Sequence, residues 1–303
     1  MSESVLVVGE SLIDVVRGGD GSTTEFPGGS AANVAVALAR LDREVRFATS
    51  WGDDERGRVL AEWLARDRVS LATDPHAVAH TSTALATLGS DGKATYEFDL
   101  AWRLNPLVDG PPPLVVHTCS LGAVLQPGAG DVVAMLEQLR AVATVSYDVN
   151  ARPAITGTGP ELVARVEVVA ALSDVVKASD EDLAALYGEG DPVAGAKRLL
   201  ALEPTAVVIT RGPDGATWLT AAQEVDVAAV PVVVADTIAA GDTFCAGLLD
   251  ALWQHDLLGA ARRDQLRDAP RNVVVDVLAQ AARAAAVTVG QPGADPPYRR
   301  ELL

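Results

Sequence analysis

Asp236-Thr237-Ile238-Ala239-Ala240-Gly241-Asp242-Thr243-Phe244 is the stretch on which the reading of this chain turns. The apolar run 230–234 leads into it and reads as a strand, while Phe244, Leu248 and Leu252, four apart, lead out of it on one face of a helix. Ala239, Ala240 and Gly241 therefore sit where a strand hands over to a helix. Backbone N–H groups of a first helical turn have no intrahelical partner, and the helix dipole adds partial positive charge there. Small side chains let an anion approach that backbone closely. Asp242 is out of place in such a site, because an acid repels a bound phosphate. It is either an ordinary first-turn acid or a group that takes a proton from whatever attacks the phosphate.

Working outward, Pro27-Gly28-Gly29-Ser30-Ala31-Ala32-Asn33 is the second informative stretch. Its glycine pair allows close backbone approach, Ser30 reads as the N-cap of a helix, and Val34, Leu38 and Leu41 mark that helix's buried face. Asn33 falls in the first turn and offers an amide to whatever the glycines approach; an incidental polar residue in a capping turn would look the same. Residues 5–8 are an apolar run, followed by Gly9-Glu10-Ser11-Leu12-Ile13-Asp14. That sequence lacks the later glycines of a dinucleotide loop, and no Walker lysine motif occurs. Asp14, among apolar neighbours, lies on the open face of an alternating strand or is kept for a ligand hydroxyl.

Composition narrows the class. The 303 residues are 49% hydrophobic and 21% charged, which suits a globular α/β chain with a sizeable core. A net charge of −17 leaves no basic footprint for nucleic acid, and it obliges an anionic ligand to find local cations or metal ions. Two cysteines, Cys119 and Cys245, are too few for a disulfide framework or a zinc site and read as buried thiols. With no charged-then-apolar leader and no apolar run of membrane length, a cytoplasmic protein that does not engage membranes is expected.

Along the chain, residues 45–50, 114–118, 144–148, 175–177 and 206–210 read as short strands in alternation with helices, which predicts a parallel, doubly wound sheet. Residues 216–219 return after a glycine turn, and 272–289 read as an apolar helix. Residues 81–88 and 95–98, joined by a turn at Asp91-Gly92, form a hairpin outside that alternation and predict a separate flap. Gly18-Gly19-Asp20-Gly21 reads as a further turn. Polar residues after the sheet strands belong at the ligand-binding edge.

The 236–244 stretch resembles the Asp-Thr-x-Gly/Ala-Ala-Gly-Asp signature of the ribokinase-like (PfkB-type) carbohydrate kinases, and the Gly-Gly-x-x-x-Asn at 28–33 resembles that family's other signature. Most of the chain, from Val5 to Pro297, follows the family order. The resemblance implies a three-layer α/β/α sandwich over 1–303 as one kinase domain, with a small β lid from about 11–27 and 81–104. It implies transfer of the ATP γ-phosphoryl group to a primary hydroxyl of a small sugar. Asp242 would be the base, and the backbone at Ala240, Gly241 and Asp242 the anion hole, with Ala239 also at the catalytic site. Asp14, Gly28, Gly29 and Asn33 would hold the sugar, joined by Asn150 and Arg152 of an Asp-x-Asn-x-Arg turn. Lys177, Ser179, Thr210, Gly212, Gly215 and Gln280 would meet ATP. Ser179-x-x-Asp182 replaces the family's Asn-x-x-Glu, which makes Asp182 the candidate for magnesium. Carbonyls of Asp236 and Ile238, facing residues 290–293, would hold a monovalent cation such as potassium, although Gly290-Gln291 departs from the basic residue usual there. The turn at 148–152, Ser179 and Leu100-Ala101-Trp102 look most like fructokinases, with ribokinase, 2-keto-3-deoxygluconate kinase and a catalytically silent sugar-binding regulator as alternatives. A homodimer joined through the lid is a further expectation.

Overall fold

The computed structural model describes residues 3–19, 21–88 and 94–302. Thirteen strands occur among them: β1 (Val5–Val8), β2 (Leu12–Arg17), β3 (Thr23–Gly28), β4 (Val45–Ala48), β5 (Ser70–Leu71), β6 (Thr83–Leu88), β7 (Ala94–Asp99), β8 (Val115–Cys119), β9 (Thr144–Asp148), β10 (Val175–Ser179), β11 (Ala206–Thr210), β12 (Ala216–Leu219) and β13 (Glu224–Val227). Nine of them form one sheet in the order β13-β12-β11-β10-β9-β8-β1-β4-β5. Its pairs are parallel except β11–β12 and β12–β13 at one edge, which are antiparallel.

Strand β1 explains the layering. Its four residues are all buried, and their side chains alternate between two cores. Val5 and Val7 join a core built with the helices Ser30–Arg40, Ala240–Gln254 and Arg271–Val289. Leu6 and Val8 join one built with Gly128–Leu139, Pro160–Leu172 and Pro192–Leu200. The sheet is therefore the middle of three layers. The chain winds from β1 outward to β4 and β5, then returns to β8 on the other flank of β1 and runs on to β13. Such a reversal opens a crevice beyond the carboxyl ends of the strands, and here it falls between β1 and β8.

Strands β3, β2, β6 and β7 form a second sheet of four, the expected flap. One face of it, with Ile13, Val15 and Leu85, packs on the first core. On the other face Phe26, Asp14, Ala84 and Phe98 pair in one cross-strand row. The turns proposed at Asp91-Gly92 and at Asp20 lie outside the described residues.

Two expectations need correction. Residues 230–234 form no strand: Val233 is 88% exposed and Val234 is 62% exposed, and the run crosses the surface as an open segment. The chain also does hold one helix, Arg271–Val289, long and apolar enough by composition to cross a membrane. In the fold its Val274, Val277, Leu278 and Ala281 are buried in the first core, against the helix Ala240–Gln254, and Ala284 is buried as well. A core helix hydrophobic on its packed face meets the same compositional test.

Candidate active site

The helix Ala240–Gln254 begins at the crevice, with Ala239 at its N-cap in the left-handed region at φ 58° and ψ 11°. That conformation costs a residue with a Cβ about 1–2 kcal/mol, a cost that Ala239 bears and a glycine would not. The Ala240 N–H turns back to the Thr237 carbonyl at 3.3 Å, so Gly241 and Asp242 carry the first-turn N–H groups best placed for an anion. Asp242 is 6% exposed, and both of its oxygens are held. The Ser30 hydroxyl donates to Oδ1 at 2.6 Å, and the Asn33 amide donates to Oδ2 at 2.8 Å. Burial pushes the Asp242 carboxyl above its ordinary range, while these two bonds and the charges of Arg152 and Lys177 pull it back.

Ser30 is not the N-cap. Gly29, at φ 103°, takes that position with no side-chain cap, and Ser30 is the first helical residue, its hydroxyl turned onto Asp242. Gly29 is sterically required, and Gly28 leaves room for the Asp14 carboxylate. A Cβ on Gly28 would lie 2.3 Å from an Asp14 carboxylate oxygen, and one on Gly29 would lie 2.8 Å from the Glu10 carbonyl. Asp14 projects from β2 toward the crevice. Burial pushes its carboxyl up to about 6, with the Arg152 charge pulling the other way. Asn150, left-handed at φ 36°, sends its amide to the Ser30 hydroxyl at 2.7 Å and to Asp242 at 3.5 Å. Arg152 is exposed, its side chain donates to the neighbouring carbonyls of Asn150 and Ala151, and its charge reaches Glu10, Asp14 and Asp242. The expected sugar-side residues are thus brought to one place around Asp242.

Across Gly241 the character changes. A cavity of about 610 Å³ runs from Thr210, Gly212 and Gly215 past Val232 and Val234 to Ala240 and Gly241, with Ala282, Ala285 and Ala286 as its floor. This volume suits a small-molecule cofactor. Thr210, Gly212 and Gly215 are where the sequence placed them. Gln280 is not: its amide bonds Asp250 at 2.7 Å, beside Arg43 and Arg299, and the alanines two and five residues further along line the cavity instead. Lys177 is 4% exposed and paired with Asp148 through both carboxylate oxygens at 3.0 Å. Burial draws its ammonium down, but Asp148 outweighs that and holds it charged. A Cβ on Gly241 would lie 3.2 Å from the Lys177 nitrogen, so this buried cation sits beneath the helix start.

Ser179 and Asp182 form a capping box at the helix Asp180–Tyr187. Asp182 accepts the Ser179 N–H at 2.8 Å on Oδ2 and the Ala151 N–H at 2.7 Å on Oδ1. It therefore ties the 148–152 turn to that helix, and it does not fit as an open magnesium ligand. Among the described residues no group of three or more His, Cys, Asp or Glu gathers for a metal. Asp236 accepts the Ile238 N–H and the Gly293 N–H, each at 3.0 Å, which holds the 236–238 and 290–293 loops together.

Sequence reasoning passed over Glu10. It is 6% exposed, its Oε1 accepts the Ser30 N–H at 3.2 Å and its Oε2 the Gly122 N–H at 2.6 Å, and burial pushes its carboxyl up to about 7. The available signal was its place directly after a fully apolar strand, at the edge where ligands bind. Cys119 and Cys245 are buried and free, as expected, and each touches the site: Cys119 donates to the Ser30 hydroxyl and Cys245 to Asp148, both at 3.3 Å.

Known proteins resemble this chain in sequence and fold. The pfkB family carbohydrate kinase description matches residues 2–300. A fructokinase of Klebsiella pneumoniae is 34% identical over 270 residues, covering 85% of this chain and 87% of that one. The crystal structure of a Xylella fastidiosa fructokinase with bound ATP superposes with a TM-score of 0.86 at 28% identity, covering 100% of this chain and 97% of that one. The Vibrio cholerae O395 fructokinase, solved with fructose, ADP and calcium bound, gives a TM-score of 0.74 at 28% identity over 96% of this chain and 94% of that one. With a polar cleft and an apolar cavity meeting at Asp242, and a family match spanning nearly every residue, this chain belongs to the pfkB family of carbohydrate kinases.

Proposed function

We propose that this protein is an ATP-dependent fructokinase of the cytoplasm, with residues 1–303 as one catalytic unit that pairs through its lid. One observation carries the reading: the Asp242 carboxylate is fixed by Ser30 and Asn33 directly after Gly241, which lines the 610 Å³ cavity. A primary sugar hydroxyl, gripped by Asp14 and Asn33, reaches Asp242. The carboxylate takes its proton as the oxygen attacks the γ-phosphorus, and the bond to the β-phosphate oxygen breaks to release ADP. The N–H groups of Gly241 and Asp242, with Lys177 beneath and Arg152 opposite, face the charge on the transferring group. The lid excludes water that would otherwise accept the phosphoryl group.

Magnesium, held by the ATP phosphates and water, would neutralise phosphate charge when bound. The Asp236–Gly293 tether brings two loops within reach of one monovalent cation. The ATP- and fructose-bound relatives support this assignment of donor and acceptor. A sugar panel with ATP and magnesium, scored by ADP release in potassium and in sodium at matched ionic strength, tests it. Fructose should be turned over faster than ribose, 2-keto-3-deoxygluconate or fructose 6-phosphate, and potassium should raise the rate. Preferential use of a phosphorylated sugar would overturn the fructose assignment, and equal rates in the two salts would remove the cation site.

A further inference from the structure

Glu10 has no part in the chemistry above, yet the fold is built closely around it. Its two oxygens accept first-turn N–H groups of two different helices, Ser30–Arg40 and Ser120–Val124. Three glycines make room for this. A Cβ on Gly122 would lie 2.9 Å from Glu10 Oε2 and 2.7 Å from the Gly9 Cα. A Cβ on Gly9 would lie 2.5 Å from the Ala31 Cβ, and one on Gly29 would lie 2.8 Å from the Glu10 carbonyl. An ionised carboxylate accepts at both ends, whereas an amide would present its NH₂ to one of the two N–H donors.

The link to chemistry runs through Ser30. Its hydroxyl accepts from Asn150 at 2.7 Å and from Cys119 at 3.3 Å. With both acceptor directions taken, its single proton is committed to Asp242 Oδ1. The place of that hydroxyl is set by the Ser30 backbone, which Glu10 holds. We propose that Glu10 is a positioning residue for phosphoryl transfer: by fixing the Ser30 backbone it sets the Ser30 hydroxyl on Asp242 Oδ1, and so aims the remaining lone pairs of that carboxylate at the sugar hydroxyl. The proposal rests on Asp242 being the base.

A double-mutant cycle on the full-length protein, with fructose, ATP and magnesium, tests it. Glu10→Gln should lower kcat about 10- to 100-fold, the size expected when a charged hydrogen-bond partner is lost, with KM for ATP changed less than about threefold. Ser30→Ala alone should lower kcat about tenfold. In the Ser30→Ala background, Glu10→Gln should cost less than about threefold more, because the path it acts through is already gone. Effects that multiply would overturn the proposal, as would a Glu10→Gln enzyme with unchanged kcat. If Glu10→Gln does not fold, Glu10→Asp, which keeps the charge and one of the two bonds, is run through the same cycle with the same criteria. Asp242→Asn, measured alongside, separates this proposal from the assignment of the base: an active Asp242→Asn enzyme would remove the base itself, whereas multiplying effects beside an inactive Asp242→Asn would remove only the role of Glu10.

Discussion

The two sides of the Gly241–Asp242 step are built on opposite principles. On the sugar side, polar side chains are fixed by one another: Asp242, Ser30, Asn33 and Asn150 form a continuous hydrogen-bonded group, with Glu10 behind it. On the nucleotide side, the cavity wall is mostly glycine, alanine, valine and proline, and Thr210 and Thr237 are its polar side chains among the described residues. Sugars are recognised through hydroxyls, each needing a donor or acceptor in a fixed place, and leaving one unpaired in a buried site costs about 1–3 kcal/mol. A planar base is held by apolar contact, for which shape matters more than any single group. In the function proposed above, one helix start would serve both sides, with its backbone toward the phosphates and its carboxylate toward the sugar.

This contrast can be broken most sharply at Asp242. Asp242→Asn keeps the size and the backbone donors but cannot take a proton, so kcat should fall by about two to four orders of magnitude. Equilibrium binding of ATP and fructose should change little, and turnover near the native rate would return Asp242 to the role of an ordinary first-turn acid. A second substitution tests the other side by shape alone. Ala285→Phe places a ring in the cavity and should raise KM for ATP about tenfold, as overpacking of a filled site does, while KM for fructose stays put. An equal rise in both constants would mean that the two sides are not separate.

The smallest effect is one of pH. The Asp14 carboxyl is pushed up to about 6, so it is ionised above that value and protonated below it. Ionised, it accepts from two hydroxyls; protonated, it is a weaker acceptor. KM for fructose should therefore rise about three- to tenfold as pH falls through 6, and the Asp14→Asn enzyme should lose that dependence. A native profile that is flat from pH 5 to 7 would take Asp14 out of sugar binding.

What the sequence disclosed follows the same division. Strands 144–148, 206–210 and 216–219 coincide with β9, β11 and β12, and β11, buried on both faces, shows why in its continuous apolar run Ala206-Val207-Val208-Ile209. Asp242, Asn33, Gly28 and Gly29 were legible because their types and spacing are unusual for core or surface. Apolar content misled at 230–234, where the valines edge the nucleotide cavity and reach solvent without entering the sheet. Gln280 faces Asp250, a hub made by residues far apart in the chain that no local pattern reveals. Ser30 read as a cap because serine before a helix usually is one; its bond to Asp242 depends on how two distant helix starts are packed. Glu10 and the Lys177–Asp148 pair stayed hidden for the same reason, since a charged residue reads as solvated until its buried partners are known.

The Ser30–Asp242 bond joins residues 212 positions apart. On a ribosome adding about 5–20 residues per second, roughly 10–40 s separate the synthesis of its two ends. Throughout that interval Ser30 and Asn33 exist without the carboxylate that both of them bind. A chain released before position 242 therefore lacks the residue on which these two distant segments converge.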